Sequence, residues 1–82
     1  MDNENLDNKN LDNKDLNEKV IIHARFAPNG TVVEISERPA ALSPQEWFNF
    51  LSDKAAGVYQ TLAGGRGVFR LTRSEVDALK QE

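Results

Sequence analysis

The most constraining feature of the chain is a turn. Ala27-Pro28-Asn29-Gly30 separates two runs of β-forming residues, Val20 to Phe26 and Thr31 to Glu37. Proline presets the first central dihedral, asparagine tolerates the second, and glycine accepts the positive φ that closes the loop. In the first run Val20, Ile22, Ala24 and Phe26 alternate with Ile21, His23 and Arg25, as expected of a strand with one buried face. A β-hairpin follows. Its register is contested. A turn with a glycine bulge pairs Ala27 with Thr31. The apolar pattern instead favours Ile22 opposite Ile35 and Ala24 opposite Val33. A slip of one residue exchanges the faces of a strand, so burial is expected to prevail.

After the hairpin, Ser43-Pro44-Gln45-Glu46 has the form of a helix start. Ser43 caps, Pro44 suits the first helical position, Glu46 completes a capping box, and Leu42 with Trp47 forms a hydrophobic staple. A helical period carried to about Ala63 gathers Trp47, Phe48, Leu51, Ala55, Val58, Tyr59 and Leu62 on one face. Gly64 and Gly65 are then read as the helix cap and turn. Val68 to Leu71 predicts a third strand. Thr72-Arg73-Ser74-Glu75 repeats the capping box before a last helix over Arg73 to Lys80.

The order β-β-α-β-α predicts an α+β fold. A small three-stranded antiparallel sheet of order 2-1-3 is covered on one face by a long helix, with a short C-terminal helix. Residues 20–82 are expected to form a single α+β domain. A segment this short holds a marginal core, so self-association is expected.

Residues 1–19 are of another kind. Asn5 to Lys19 reads as three near-copies of a five-residue unit in which Leu6, Leu11 and Leu16 recur at period five. Neither a helix nor a strand gathers a period of five on one face. The spacing resembles that of the pentapeptide-repeat solenoids. That class has small, inward-facing residues two before each leucine; here Glu4, Lys9 and Lys14 occupy those places, and charged side chains are not buried unpaired. The segment is read as a disordered, low-complexity acidic tail. It holds the whole net charge of −3, because acids and bases balance over residues 20–82.

That balance argues against nucleic acid as a partner. The chain has no cysteine, which excludes disulfides and thiolate metal sites. No apolar run is long enough to span a bilayer, and the polar N-terminus does not read as a signal peptide. A cytoplasmic protein without membrane contact is the default expectation.

No catalytic residue, metal site or cofactor is expected, and the chain is not read as an enzyme. His23, the sole histidine, is expected opposite Glu34 as a cross-strand polar pair on the face away from the long helix. Gly64-Gly65-Arg66-Gly67 has the wrong polarity for a phosphate loop, since a helix C-terminus leads into it. Two surfaces remain. Phe50, Lys54, Gly57 and Thr61 form a strip beside the core face of the long helix, a candidate interface for a homodimer or a protein partner. Arg25, Arg66, Arg70 and Arg73 form a candidate anion-binding patch for phosphate or nucleic acid. The leading expectation is a non-enzymatic protein–protein interaction module, with weak nucleic-acid or phosphate binding as the alternative.

Overall fold

The structure, a computed structural model, describes residues 17–82. The expected tail therefore lies, up to residue 16, outside the described residues. Seven elements follow: β1 (Lys19–Phe26), β2 (Val32–Ile35), α1 (Pro44–Ala55), a 3-10 turn (Ala56–Val58), β3 (Tyr59–Leu62), β4 (Arg66–Thr72) and α2 (Arg73–Lys80). The sheet has the order β2-β1-β4-β3. Among the described residues the fold is α+β with an antiparallel sheet and two helices, but the sheet has four strands where the sequence predicts three. Among the described residues, packing divides the chain into residues 21–70 and a second unit of residues 17–20 with 71–82.

In the first unit, turn chemistry and burial are both satisfied. The Ala27 amide donates to the Thr31 carbonyl at 2.8 Å, and the Gly30 amide to the Ala27 carbonyl at 2.8 Å. Gly30 takes φ 92°. Asn29 Oδ1 accepts from the Thr31 amide at 3.0 Å and from its hydroxyl at 2.8 Å. Phe26 then faces Val32, whereas Arg25 faces Glu34 and Ala24 faces Ile35, so Val33 is an extra residue.

This corrects the register expected from the apolar pattern. The turn sets the pairing beside it, and a bulge at Val33 shifts the rest by one. Without the bulge Glu34 would face Ala24 in the core; with it, Val32 and Ile35 are both buried and Val33 is exposed. His23 lies opposite Ser36, not Glu34: the His23 amide donates to the Ser36 hydroxyl at 2.9 Å and the Ser36 amide to the His23 carbonyl at 3.1 Å.

α1 starts where its capping box predicts. Ser43 Oγ accepts from the Glu46 amide at 3.1 Å, and Glu46 Oε1 from the Ser43 amide at 2.8 Å. One turn apart, Trp47 and Leu51 are fully buried. The Trp47 indole donates to the Ser36 carbonyl at 3.2 Å, which satisfies the one polar group of a buried tryptophan. Phe48 meets Phe26, Tyr59 and Phe69 at centroid distances of 5.2, 5.7 and 5.6 Å, and Tyr59 meets Phe69 at 4.9 Å. Helix and sheet are thus joined by an aromatic cluster.

α1 ends at Ala55, eight residues before the expected stop at Ala63. Ala55 leaves the helical region with φ −138° and ψ 35°, and the chain tightens through Ala56–Val58 into β3. A helix continued past Gly57 would carry glycine's cost of about 1 kcal/mol and would leave one edge of β4 unpaired. Val58, Tyr59 and Thr61 suit a strand better, and Tyr59–Leu62 pairs with Arg66–Phe69. Gly64 and Gly65, at φ 79° and 71°, close this β3–β4 hairpin and cap no helix. Val58, expected in the core, is exposed.

The β1–β4 pair is antiparallel. The Phe26 amide donates to the Gly65 carbonyl at 2.8 Å at one end of the strands, and the Arg73 amide to the Glu18 carbonyl at 2.8 Å at the other. β4 is longer than the expected Val68 to Leu71 and, as expected, lies beside β1.

In the second unit, α2 runs over the expected residues. Thr72 Oγ1 accepts from the Glu75 amide at 3.2 Å, and Glu75 Oε1 from the Thr72 amide at 2.8 Å. The staple residues Leu71 and Val76 are both buried.

Candidate functional site

Strand alternation sorts the side chains of residues 21–70 onto two faces. Ile22, Ala24, Phe26, Tyr59 and Phe69 join the aromatic core beneath α1. The far face carries Ile21, His23 and Arg25 from β1, with Glu34 and Ser36 from β2 and its end. The bond between Phe26 and Gly65 sets Arg66 beside Arg25, Val68 beside His23 and Arg70 beside Ile21. Val68 is buried on that face, between His23 and the Gln60 that pairs with it in β3.

His23, Arg25, Glu34, Ile35 and Ser36 line a shallow depression of about 320 Å³. Its chemistry is modest. Arg25 Nε donates to Glu34 Oε1 at 2.9 Å, in an ion pair whose side chains are 55% and 71% exposed. A pair so open to water contributes about 0.2–1 kcal/mol. Glu34 engages Arg25 and not His23, so the cross-strand His23–Glu34 pair expected from the sequence does not form.

Each arginine of the expected patch has a hydrogen-bond partner of its own. Arg25, Arg66 and Arg70 share the far face. Arg70 donates from Nε and Nη2 to Gln60 Oε1 at 3.3 and 2.9 Å. Arg66 Nε donates to the Ala63 carbonyl at 3.2 Å. Arg73, on α2, pairs with Asp77 one turn along at 3.1 Å.

The strip proposed along one helix is divided among three elements. Phe50 and Lys54 lie on α1, Gly57 lies in the 3-10 turn, and Thr61 lies on β3. Phe50 stacks on Trp47 at 5.9 Å and 16°, and Lys54 Nζ sits 5.8 Å from the centre of its ring. Among the described residues, no heavy atom beyond its chain neighbours lies within 4 Å of a Cβ built on Gly57, so this glycine marks no close packing contact there. Gly67 marks one instead. A Cβ there would lie 2.6 and 2.7 Å from Tyr59 Cζ and Cε1, with the phenol oxygen closer still.

The edges of the sheet differ in a way the sequence did not foretell. On β2, the Val32 amide donates to Gln45 Oε1 at 2.8 Å, and just past its end the Ser36 carbonyl accepts the Trp47 indole. A side chain of α1 thus occupies part of that edge. The outer edge of β3 has no such cover among the hydrogen bonds of the described residues. A reading of residues 58–62 as strand, from their β-branched and aromatic content, would have exposed this edge.

Among the described residues no group of three or more His, Asp or Glu is placed to hold a metal ion, and no helix is long and apolar enough to cross a membrane. Comparison with protein-family models, with curated proteins and with solved structures gave no match.

Proposed function

We propose that the protein is a small non-enzymatic protein–protein interaction module that self-associates or serves as a subunit of an assembly. The observation that carries this reading is apolar surface left outside the core. Ile21, Val33 and Val58 are 52%, 44% and 39% exposed. Such residues favour association when a partner removes them from water, by about 25 cal/mol for each Å² of apolar surface covered. The shallow far-face depression, with its one exposed ion pair, supports the same reading, because ligand sites are usually concave and enclosed.

Size-exclusion chromatography with light scattering, run on the full chain across a range of concentrations, tests the reading. A mass above that of one chain at high micromolar concentration is expected. A monomer throughout, unchanged by Phe50→Ser, would remove the self-associating form of the proposal.

A second reading is weak phosphate or nucleic-acid binding on the far face. It is favoured by Arg66 and Arg70, whose guanidinium groups bond neutral acceptors, the Ala63 carbonyl and the Gln60 side-chain oxygen. Binding of this kind falls steeply with salt. Retention on heparin at low salt, weakened by Arg70→Ala, is the expected result, and passage without retention would exclude it.

A further inference from the structure

We infer that β3 is the self-association surface, and that its occupant is the β3 strand of a second copy in antiparallel two-fold pairing centred on Thr61. This rests on the self-association proposed above and names the surface.

The argument begins with which backbone groups of β3 face outward. In an antiparallel ladder each residue points both its amide and its carbonyl to the same side, and successive residues alternate. The Phe26 to Gly65 bond turns Gly65, Gly67 and Phe69 toward β1. Arg66 and Val68 therefore turn toward β3, where they meet Leu62 and Gln60. Tyr59 and Thr61 are left facing away from the sheet. The Tyr59 amide is used, because it donates to the Ala56 carbonyl at the end of the 3-10 turn. The Tyr59 carbonyl and both backbone groups of Thr61 remain at the edge.

Proteins usually block such an edge with a charge, a proline, a bulge or a covering element. β2 has two of these, the bulge at Val33 and the Gln45 side chain of α1 on the Val32 amide. β3, Tyr59-Gln60-Thr61-Leu62, has no charge and no proline, and its four pairs with β4 run without a bulge.

The open groups are self-complementary. A two-fold axis at Thr61 sets its amide against the partner copy's Thr61 carbonyl, and the reverse. The flanking Tyr59 carbonyls are directed toward the Ala63 amides. Gln60 falls beside Leu62 of the other copy, and the two threonines face each other, a favourable cross-strand pair. No like charges meet on the paired strands. Such an interface is isologous and closes at two copies. It joins two four-stranded sheets into one of eight, and the exposed Val58 adjoins it at the start of each β3.

Two variants isolate the edge. Thr61→Pro removes the outward amide without touching a β3–β4 hydrogen bond, and edge strands tolerate proline. Thr61→Lys brings two charges together on the axis at an exposed position. With the wild type dimeric by light scattering, both variants should dimerise at least about tenfold more weakly while keeping the wild-type circular dichroism. Hydrogen exchange supplies a measurement on the wild type that survives any folding defect in a variant. The Thr61 amide should be protected at high micromolar concentration and lose protection on dilution.

A wild-type dimer that persists unchanged in both variants, or a Thr61 amide that exchanges freely in the dimer, overturns this surface and leaves self-association standing. A wild type that stays monomeric overturns both, even if β3 then accepts an extended peptide from another protein.

Discussion

Replacing Gly67 with alanine tests the aromatic cluster that joins α1 to the sheet. Gly67 lies on β4 directly opposite Thr61, on the face that carries Tyr59 and Phe69. The added methyl group would sit 2.6–2.7 Å from two carbons of the Tyr59 ring, well inside van der Waals contact. Neighbouring backbone is paired on both sides, so the ring must give way. Its displacement disturbs the contacts with Phe69 at 4.9 Å and Phe48 at 5.7 Å. Overpacking a fitted core costs about 1–3 kcal/mol, and each aromatic pair contributes about 0.5–1.5 kcal/mol beyond its buried area. A loss of about 2–4 kcal/mol is expected, a large part of the stability of a domain this small.

The assay is urea unfolding, with the slope monitored so that only a shift of the midpoint counts. A double-mutant cycle identifies the cause. With Tyr59→Ala in place the obstruction is gone, and alanine is the better strand residue, so Gly67→Ala should become neutral or slightly stabilising, by up to about 1 kcal/mol. Should Gly67→Ala cost the same in both backgrounds, the collision with Tyr59 is not the reason glycine is needed, and the reasoning fails.

Three further expectations concern single side chains. Ser43→Ala removes the cap that holds the Glu46 amide and should cost about 1 kcal/mol in urea unfolding. Leu51→Ala empties a fully buried position against the sheet and should cost about 2–5 kcal/mol by the same measurement. Glu34→Ala breaks an exposed ion pair with Arg25 and should shift stability by no more than about 1 kcal/mol, less in high salt; a larger loss would mean that the far face is less open to water than its exposure indicates.

The parts of the fold legible in the chain are those whose cause is local. Pro28-Asn29-Gly30 encodes its own turn. Ser43 with Glu46, and Thr72 with Glu75, satisfy backbone donors within four residues, so both helix starts could be read without knowing what the helices pack on. The alternation in β1 marked its buried face, because burial on one side of a strand needs no knowledge of the partner's identity.

What only the tertiary structure decided depends on segments distant in sequence. Residues 56–62 fit a helical stripe as well as they fit a strand, and the edge offered by β4 selects between them. The same pairing breaks up the Phe50–Thr61 strip and makes Gly64-Gly65 a hairpin turn. The Val33 bulge likewise arises because the turn register alone would set Glu34 against Ala24; one extra residue in β2 sets Ile35 there instead, not the Val33 that the apolar pattern favours. Local chemistry determined where helices begin and where the first hairpin turns. Long-range pairing, which rewards backbone groups only once two strands have met, decided where α1 ends and which edge of the sheet is left uncovered among the described residues.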